Sequence, residues 1–71
     1  MVPQQLEMQA VLPDNDDERL LLKVLSHEPC HIDELIRGSG LATTTVSSTL
    51  TMMELKGMIK HVGGMQYVLA R

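Results

Sequence analysis

The chain has 71 residues, of which 44% are hydrophobic and 21% are charged. This length holds a single domain with a small core, and the composition excludes wholesale disorder. The net charge of −3 and the pI near 5.4 argue against a dedicated nucleic-acid module, because such modules usually carry a basic patch or a high pI.

The acidic excess lies in the first part of the chain, since acidic and basic residues balance from residue 27 onward. A weak positive patch is therefore still compatible with the C-terminal part.

The single cysteine, Cys30, excludes an internal disulfide and fits a reducing compartment. No apolar run approaches the roughly 20 residues that span a bilayer, and no signal peptide is recognisable. We therefore expect a soluble, cytoplasmic protein without membrane contacts.

Residues 1–15 are predicted to form a linker or disordered tail, because they contain two prolines, two adjacent glutamines and no sustained period. The domain is accordingly placed at residues 16–71, and a tail of this kind suggests a piece of a longer protein. An apolar group in the tail could tether it to the domain. Its members are Met8, Ala10, Val11 and Leu12.

The first predicted helix begins at Asn15 or Asp16, where the acidic residues 16–18 favour the positive end of the helix dipole. Pro29 prevents its continuation, so the helix should end near His27. Its buried arc is expected to contain Leu20, Leu21, Val24 and Leu25.

Residues 30–32 follow as a short extended link that can form one edge of a small sheet. Asp33 is expected to cap a second, short helix. Gly38 and Gly40 should end this helix, because glycine readily adopts the left-handed conformation. Together with the helix that follows, this glycine-containing turn makes a helix-turn-helix.

Residues 43–57 are predicted to form the second arm of this motif. At about 100° per residue, one narrow stripe contains Ala42, Val46, Leu50, Met53 and Gly57. The opposite side contains Thr44, Thr45, Ser48, Met52 and Leu55. A helical period keeps the stripe apolar, whereas a strand would mix polar with apolar residues. Because six of the first seven residues are Thr or Ser, helix propensity is low and packing must compensate.

After Gly57 the apolar pattern alternates, as it does in a strand. Gly63 and Gly64 separate residues 58–62 from residues 65–69, which is a β-hairpin signal. A helix-turn-helix followed by a hairpin is a winged helix. The sequence thus predicts an α+β winged helix of three helices and a small antiparallel sheet, in which residues 30–32 supply the third strand.

The part of the chain between about residue 17 and residue 69 contains several short motifs that are typical of a known family. They are Ile32-Asp33-Glu34-Leu35, Gly40-Leu41, Val46-Ser47, Leu50, Glu54-Leu55-Lys56-Gly57 and the spacing Gly64-x-x-Tyr67. Many are shared by winged helices at large. The combination of the last two resembles the C-terminal winged-helix domain of the bacterial DNA-processing protein A family, DprA or Smf.

The resemblance implies an accessory domain of a longer protein. In the family, a Rossmann-like domain binds single-stranded DNA and hands it to the RecA recombinase during natural transformation. Related winged helices that bind left-handed DNA use a helix Asn and Tyr and a wing proline. The corresponding positions here carry Thr44, Thr45, Ser48 and Met52, and the wing has two glycines, so that chemistry does not carry over.

The candidate DNA-binding residues are Thr44, Thr45, Ser48, Lys56, Lys60 and His61. The hydroxyl groups could bond phosphates or base edges from a helix in the major groove, while the basic residues touch the backbone. The alternative is a solvated face, because no Arg or Lys lies within the hydroxyl row to release counterions.

Met52 and Leu55 lie off the buried stripe and are candidate protein contacts, suited to a partner helix or a second copy of the domain. We favour the alternative that they are core residues, buried by a flanking helix and sheet. Leu22 is open to the same two interpretations. Tyr67 could stack on a base, but its place in the last strand favours capping the core.

His27, Cys30, His31 and His61 raise the question of a zinc site, but their spacing matches no usual zinc finger. Cys30 is expected to be a small buried thiol. The sequence contains no recognisable phosphate-binding loop, no pair of carboxylates in a plausible cleft, and no pairing of a nucleophile with a base. No metal, cofactor, small-molecule substrate or enzymatic activity is therefore expected.

The predicted function is that of an accessory winged-helix domain of a DNA-processing protein in DNA uptake. Its expected partners are DNA, bound weakly, or another protein or domain of the parent chain. Two alternatives stay open. One is a protein-interaction module that does not bind DNA, and the other is the DNA-binding domain of a transcription regulator.

Overall fold

A computed structural model describes residues 15–70 of the chain. These residues form the helices α1 (Asp16–Val24), α2 (Ile32–Ser39) and α3 (Thr43–Leu55) and the strands β1 (Cys30–His31), β2 (Ile59–His61) and β3 (Gln66–Leu69). The strands pair antiparallel in the order β1-β3-β2. The α+β winged-helix prediction is confirmed, including the third strand before α2. Apart from Asn15, the predicted tail lies outside the described residues.

Helix α1 begins as predicted and ends earlier than predicted. The Asn15 side chain accepts a hydrogen bond from the Glu18 amide at 2.9 Å, which caps the first turn. Leu25 then takes an extended conformation, and the Ser26 carbonyl accepts a bond from the Leu69 amide at 2.8 Å. The predicted end near His27 is wrong because the chain leaves the helix to bond with β3.

Helix α2 is capped by a different residue from the one predicted. His31 Nδ1 accepts a hydrogen bond from the Asp33 amide at 3.0 Å, so His31 is the N-cap and Ile32 already belongs to the helix. Gly40 ends the helix with a φ of 75°. Gly38 lies inside the helix instead, where a Cβ would stand 3.0 Å from Val24 Cγ2. Its role is to let α2 approach α1.

The core is organised around α3. Its residues Val46, Leu50 and Met53 are 0% exposed, as the predicted stripe requires, and the helix contacts α1, α2 and β2. The two ends of that stripe, Ala42 and Gly57, lie just outside the helix and are exposed. The other fully buried large side chains of the described residues are Leu21, Leu35 and Ile59. Burial of this one stripe against three elements supplies what the Thr- and Ser-rich sequence lacks in helix propensity.

The wing is a short hairpin with a turn longer than its two glycines. Gly63, Gly64 and Met65 all have positive φ, at 92°, 56° and 59°. The turn is closed by the Gln66 amide, which donates to the Gly63 carbonyl at 2.9 Å. The Met65 carbonyl accepts from the Ile32 amide at 2.9 Å, which ties the wing to the start of α2.

Leu50→Ala removes fully buried atoms from the stripe and should lower the free energy of unfolding by about 2–5 kcal/mol. Leu55→Ala is the matched control, because it makes the same chemical change at a side chain that is 77% exposed. That variant should stay within about 0.5 kcal/mol of the parent chain. Urea denaturation followed by circular dichroism measures both, and equal losses would contradict a buried stripe.

Candidate nucleic-acid interface

The predicted hydroxyl row is only partly exposed. Thr44 and Ser48 face solvent, whereas Thr45 is half-buried on the flank of α3. The Ser48 hydroxyl donates to the Thr45 carbonyl at 3.3 Å, so its proton is used within the helix and its oxygen can still accept. The row therefore offers two exposed hydroxyl groups, one turn apart.

The start of α3 favours an anion. Its N-cap residue is Ala42, which has no side chain that can bond the amides of the first turn, and that turn contains no acidic residue. Amides at a helix N-terminus carry partial positive charge, which attracts phosphate. Thr44 lies in the same turn, so a hydroxyl and backbone amides are close together there.

Lys56 is turned into the domain. Its Nζ lies 2.9 Å from Glu18 Oε1, and the side chains of Lys56 and Glu18 are 22% and 4% exposed. In this position the Lys56 ammonium neutralises the buried Glu18 carboxylate. The structure therefore does not support the expectation that Lys56 directs a basic group at DNA from the end of α3. The bond instead joins the end of α3 to the first turn of α1.

Lys60 and His61 are exposed but do not form one cluster. They are consecutive in β2, so their side chains leave opposite faces of the sheet. Across the ladder Lys60 is opposite Val68, whereas His61 is opposite Tyr67, and the His61 and Tyr67 rings stack with centroids 4.9 Å apart. Tyr67 packs against the core, as the core-capping interpretation requires.

Met52 and Leu55 are surface residues, which makes the favoured core interpretation wrong. They are 53% and 77% exposed, because both project away from the side of α3 that carries Met53. Leu22, in contrast, is half-buried and packs against the core. The exposed large hydrophobic residues of the described chain all lie on α3 or the wing: Met52, Leu55, Val62 and Met65.

Cys30 is a buried thiol, and its pKa is shifted in the direction opposite to that of a reactive cysteine. Burial, together with a hydrogen bond from Sγ to Glu34 Oε1 at 3.6 Å and the charge of that carboxylate, raises the pKa of the thiol above its ordinary value. A nucleophile or metal ligand requires the thiolate instead. Within residues 15–70, no three side chains of the metal-binding types come together, and no pocket is formed.

Removing the Lys56 ammonium should destabilise the domain. Lys56→Met takes away the partner held at 2.9 Å from the buried Glu18 carboxylate, and we expect a loss of about 1–3 kcal/mol. Lys60→Met is the control, since the exposed Lys60 side chain should tolerate the change within about 0.5 kcal/mol. Glu18→Gln combined with Lys56→Met should recover part of the loss. Thermal unfolding tests this, and equal effects of the two lysine variants would contradict a structural role for Lys56.

The helix-turn-helix, the hairpin wing and the outward face of α3 define a winged-helix domain, a class without catalytic machinery of its own. Residues 5–65 match a family model described as the DprA winged helix domain. The chain belongs to this family, whose domain is non-catalytic and forms part of DprA-type DNA-processing proteins. No curated protein and no solved structure gives a significant match. None of the described helices is long and apolar enough to cross a membrane.

Proposed function

We propose that this domain is the accessory winged helix of a DprA-type protein that acts in the cytoplasm during DNA uptake, and that it binds duplex DNA weakly. The observation that carries the proposal is the start of α3, where uncapped first-turn amides lie beside the exposed hydroxyl of Thr44. Backbone amides and hydroxyl groups are common donors to phosphate. With α3 in or along the major groove, this end of the helix would hold one phosphate.

The wing supplies the positive charge in this proposal. Lys60 is exposed on β2 and provides this charge. Lys56 is left out, because its ammonium is paired with Glu18. Contact with one or two phosphates gives a slope of only about −1 to −2 in a plot of log K against log salt concentration. The dissociation constant should accordingly be about 10⁻⁴ M or weaker at physiological salt.

An NMR titration with a short duplex at low salt tests the DNA contact. Amides of residues 43–48 and 60–61 should shift, and Lys60→Glu should reduce the affinity at least about fivefold, because it reverses a charge next to phosphate. Lys23→Glu is the matched control, since it reverses the charge of an exposed lysine on α1. That variant should bind like the parent chain.

Thr44→Glu separates binding from folding. A carboxylate in the first turn should stabilise α3 by about 0.3–1 kcal/mol through the helix dipole, yet it should repel phosphate and weaken binding. If amides at the start of α3 do not move at low salt, or if Lys23→Glu weakens binding as much as Lys60→Glu does, the DNA contact is refuted.

A second candidate function is contact with protein through Met52 and Leu55. The specific observation is that these two large apolar side chains are more than half exposed on one helix, at 53% and 77%. Apolar groups presented in this way fit a protein surface better than a phosphate backbone. The two functions use different ends of α3, so they do not exclude each other.

A further inference from the structure

We propose that the exposed side of α3 packs antiparallel against the same side of α3 in a second copy of this chain, with Met52 and Leu55 near the two ends of the contact. The proposal rests on the second candidate function, contact with protein through these two side chains, and it names the partner. Three properties of α3 carry it: the spacing of its exposed residues, their hydrogen bonds, and the distribution of charge along the helix.

Four exposed residues form a straight stripe on the side of α3 opposite the buried one. They are Thr44, Ser48, Thr51 and Leu55, which follow one another after four, three and four positions. Helices that pack side by side use positions with this spacing, because it keeps the contacting side chains in line along both helix axes. The helix α3 therefore has a second stripe with the geometry of a helix-packing surface, and that stripe is in solvent.

An antiparallel arrangement matches the two stripes residue by residue. The first residue of one stripe then lies opposite the last residue of the other, so Leu55 of each copy is placed on Thr44 of the other copy. In the middle, Ser48 lies opposite Thr51, and these short side chains let the two helix axes approach closely. Met52 borders the stripe beside Leu55, so apolar side chains close the contact at both ends.

The two hydroxyl groups in the middle of the stripe can leave water at little cost. The Ser48 hydroxyl donates to the Thr45 carbonyl at 3.3 Å, and the Thr51 hydroxyl donates to the Ser47 carbonyl at 3.1 Å. Burial of a polar group is costly mainly when the group loses its hydrogen bond. Because these donors keep theirs within the helix, the polar middle of the stripe is compatible with a close contact between two copies.

The charges of α3 suit an antiparallel copy. Within Thr43–Leu55 the one charged side chain is Glu54, which lies in the last turn, where an acidic group opposes the helix dipole. The first turn has Ala42 as its N-cap and contains no acidic residue, so it favours an anion. In the antiparallel pair each Glu54 lies near the first turn of the other copy. The complementary groups are both on α3 itself, which favours a second copy over an unrelated protein.

Pairing of this kind has a consequence for the DNA contact. A partner that touched only Met52 and Leu55 would leave the start of α3 open to phosphate. A second copy also covers Thr44 and brings Glu54 to the first turn, so a paired domain should not bind phosphate there. Self-association and DNA binding should therefore compete at α3.

Sedimentation equilibrium of the full chain without DNA tests the pairing. Each copy contributes one short helix, which is less than the roughly 1,600 Å² of a standard interface, so a weak dimer should form as the concentration approaches about 1 mM. Met52→Asp should weaken association about tenfold, because each dimer loses two apolar contacts. Met65→Asp is the matched control, since it makes the same change on the wing at a side chain that is 52% exposed, against 53% for Met52. This control should associate like the parent chain.

Glu54→Lys distinguishes the antiparallel pair from general apolar association. The change reduces the net negative charge of the chain, which favours general association, and a basic residue in the last turn suits its own helix dipole. In the antiparallel pair it places a positive charge near the first turn of the other copy. Association should therefore weaken at least about threefold, because the contact occurs twice in each dimer, while the melting temperature does not fall.

Isotope-filtered NMR of a mixture of labelled and unlabelled chains gives the arrangement. Contacts between chains should join the Leu55 methyl groups with the Thr44 methyl group. Contacts that join Leu55 with Leu55 overturn the antiparallel pair, as does association of Glu54→Lys at or above the parent level, although protein contact through Met52 then stands. Equal weakening by Met65→Asp and Met52→Asp overturns the use of α3.

Absence of association up to about 1 mM overturns the second copy as the partner and leaves another protein as the occupant of this surface. The DNA contact is measured separately, in dilute samples in which the chain is monomeric. Failure of the pairing is therefore distinguishable from failure of the DNA contact.

Discussion

Val46, Leu50 and Met53 project from one side of α3 into the space enclosed by α1, α2 and β2, and their complete burial holds the domain together. The helix that carries them has little intrinsic tendency to form, because its first half consists mainly of Thr and Ser. Packing must therefore provide the stability, and in so short a chain few other residues can replace that contribution. The rest of the fold is arranged to cover this one stripe.

Burial of one side of α3 determines what the opposite side can do. Thr44 and Ser48 are left in solvent near the positive end of the helix, whereas Met52 and Leu55 are left in solvent near its other end. A phosphate suits the first set of groups and an apolar protein segment suits the second. The 2.9 Å bond between Lys56 and Glu18 holds the second end against α1 and pairs the Lys56 ammonium with a buried carboxylate.

The sequence was informative where a regular spacing carries the signal. The period of Val46, Leu50 and Met53 located α3, and the Gly63-Gly64 turn located the wing. The sequence was uninformative where a contact joins distant residues, as in the Lys56–Glu18 pair, whose members are 38 residues apart. The cap of α2 was missed because His31 competes with Asp33 for the same turn, and helical spacing alone could not tell whether a neighbour covers Met52 and Leu55.

Membership of the DprA winged helix domain family agrees with this architecture, in which one side of α3 forms the centre of the core and the opposite side is exposed to solvent. Native-state hydrogen exchange measures the central claim most directly. If the stripe holds the domain together, the amides of Val46, Leu50 and Met53 should exchange only through global unfolding, with opening free energies equal to the stability from urea denaturation. Exchange of these amides through local fraying, at opening free energies well below that stability, would contradict it.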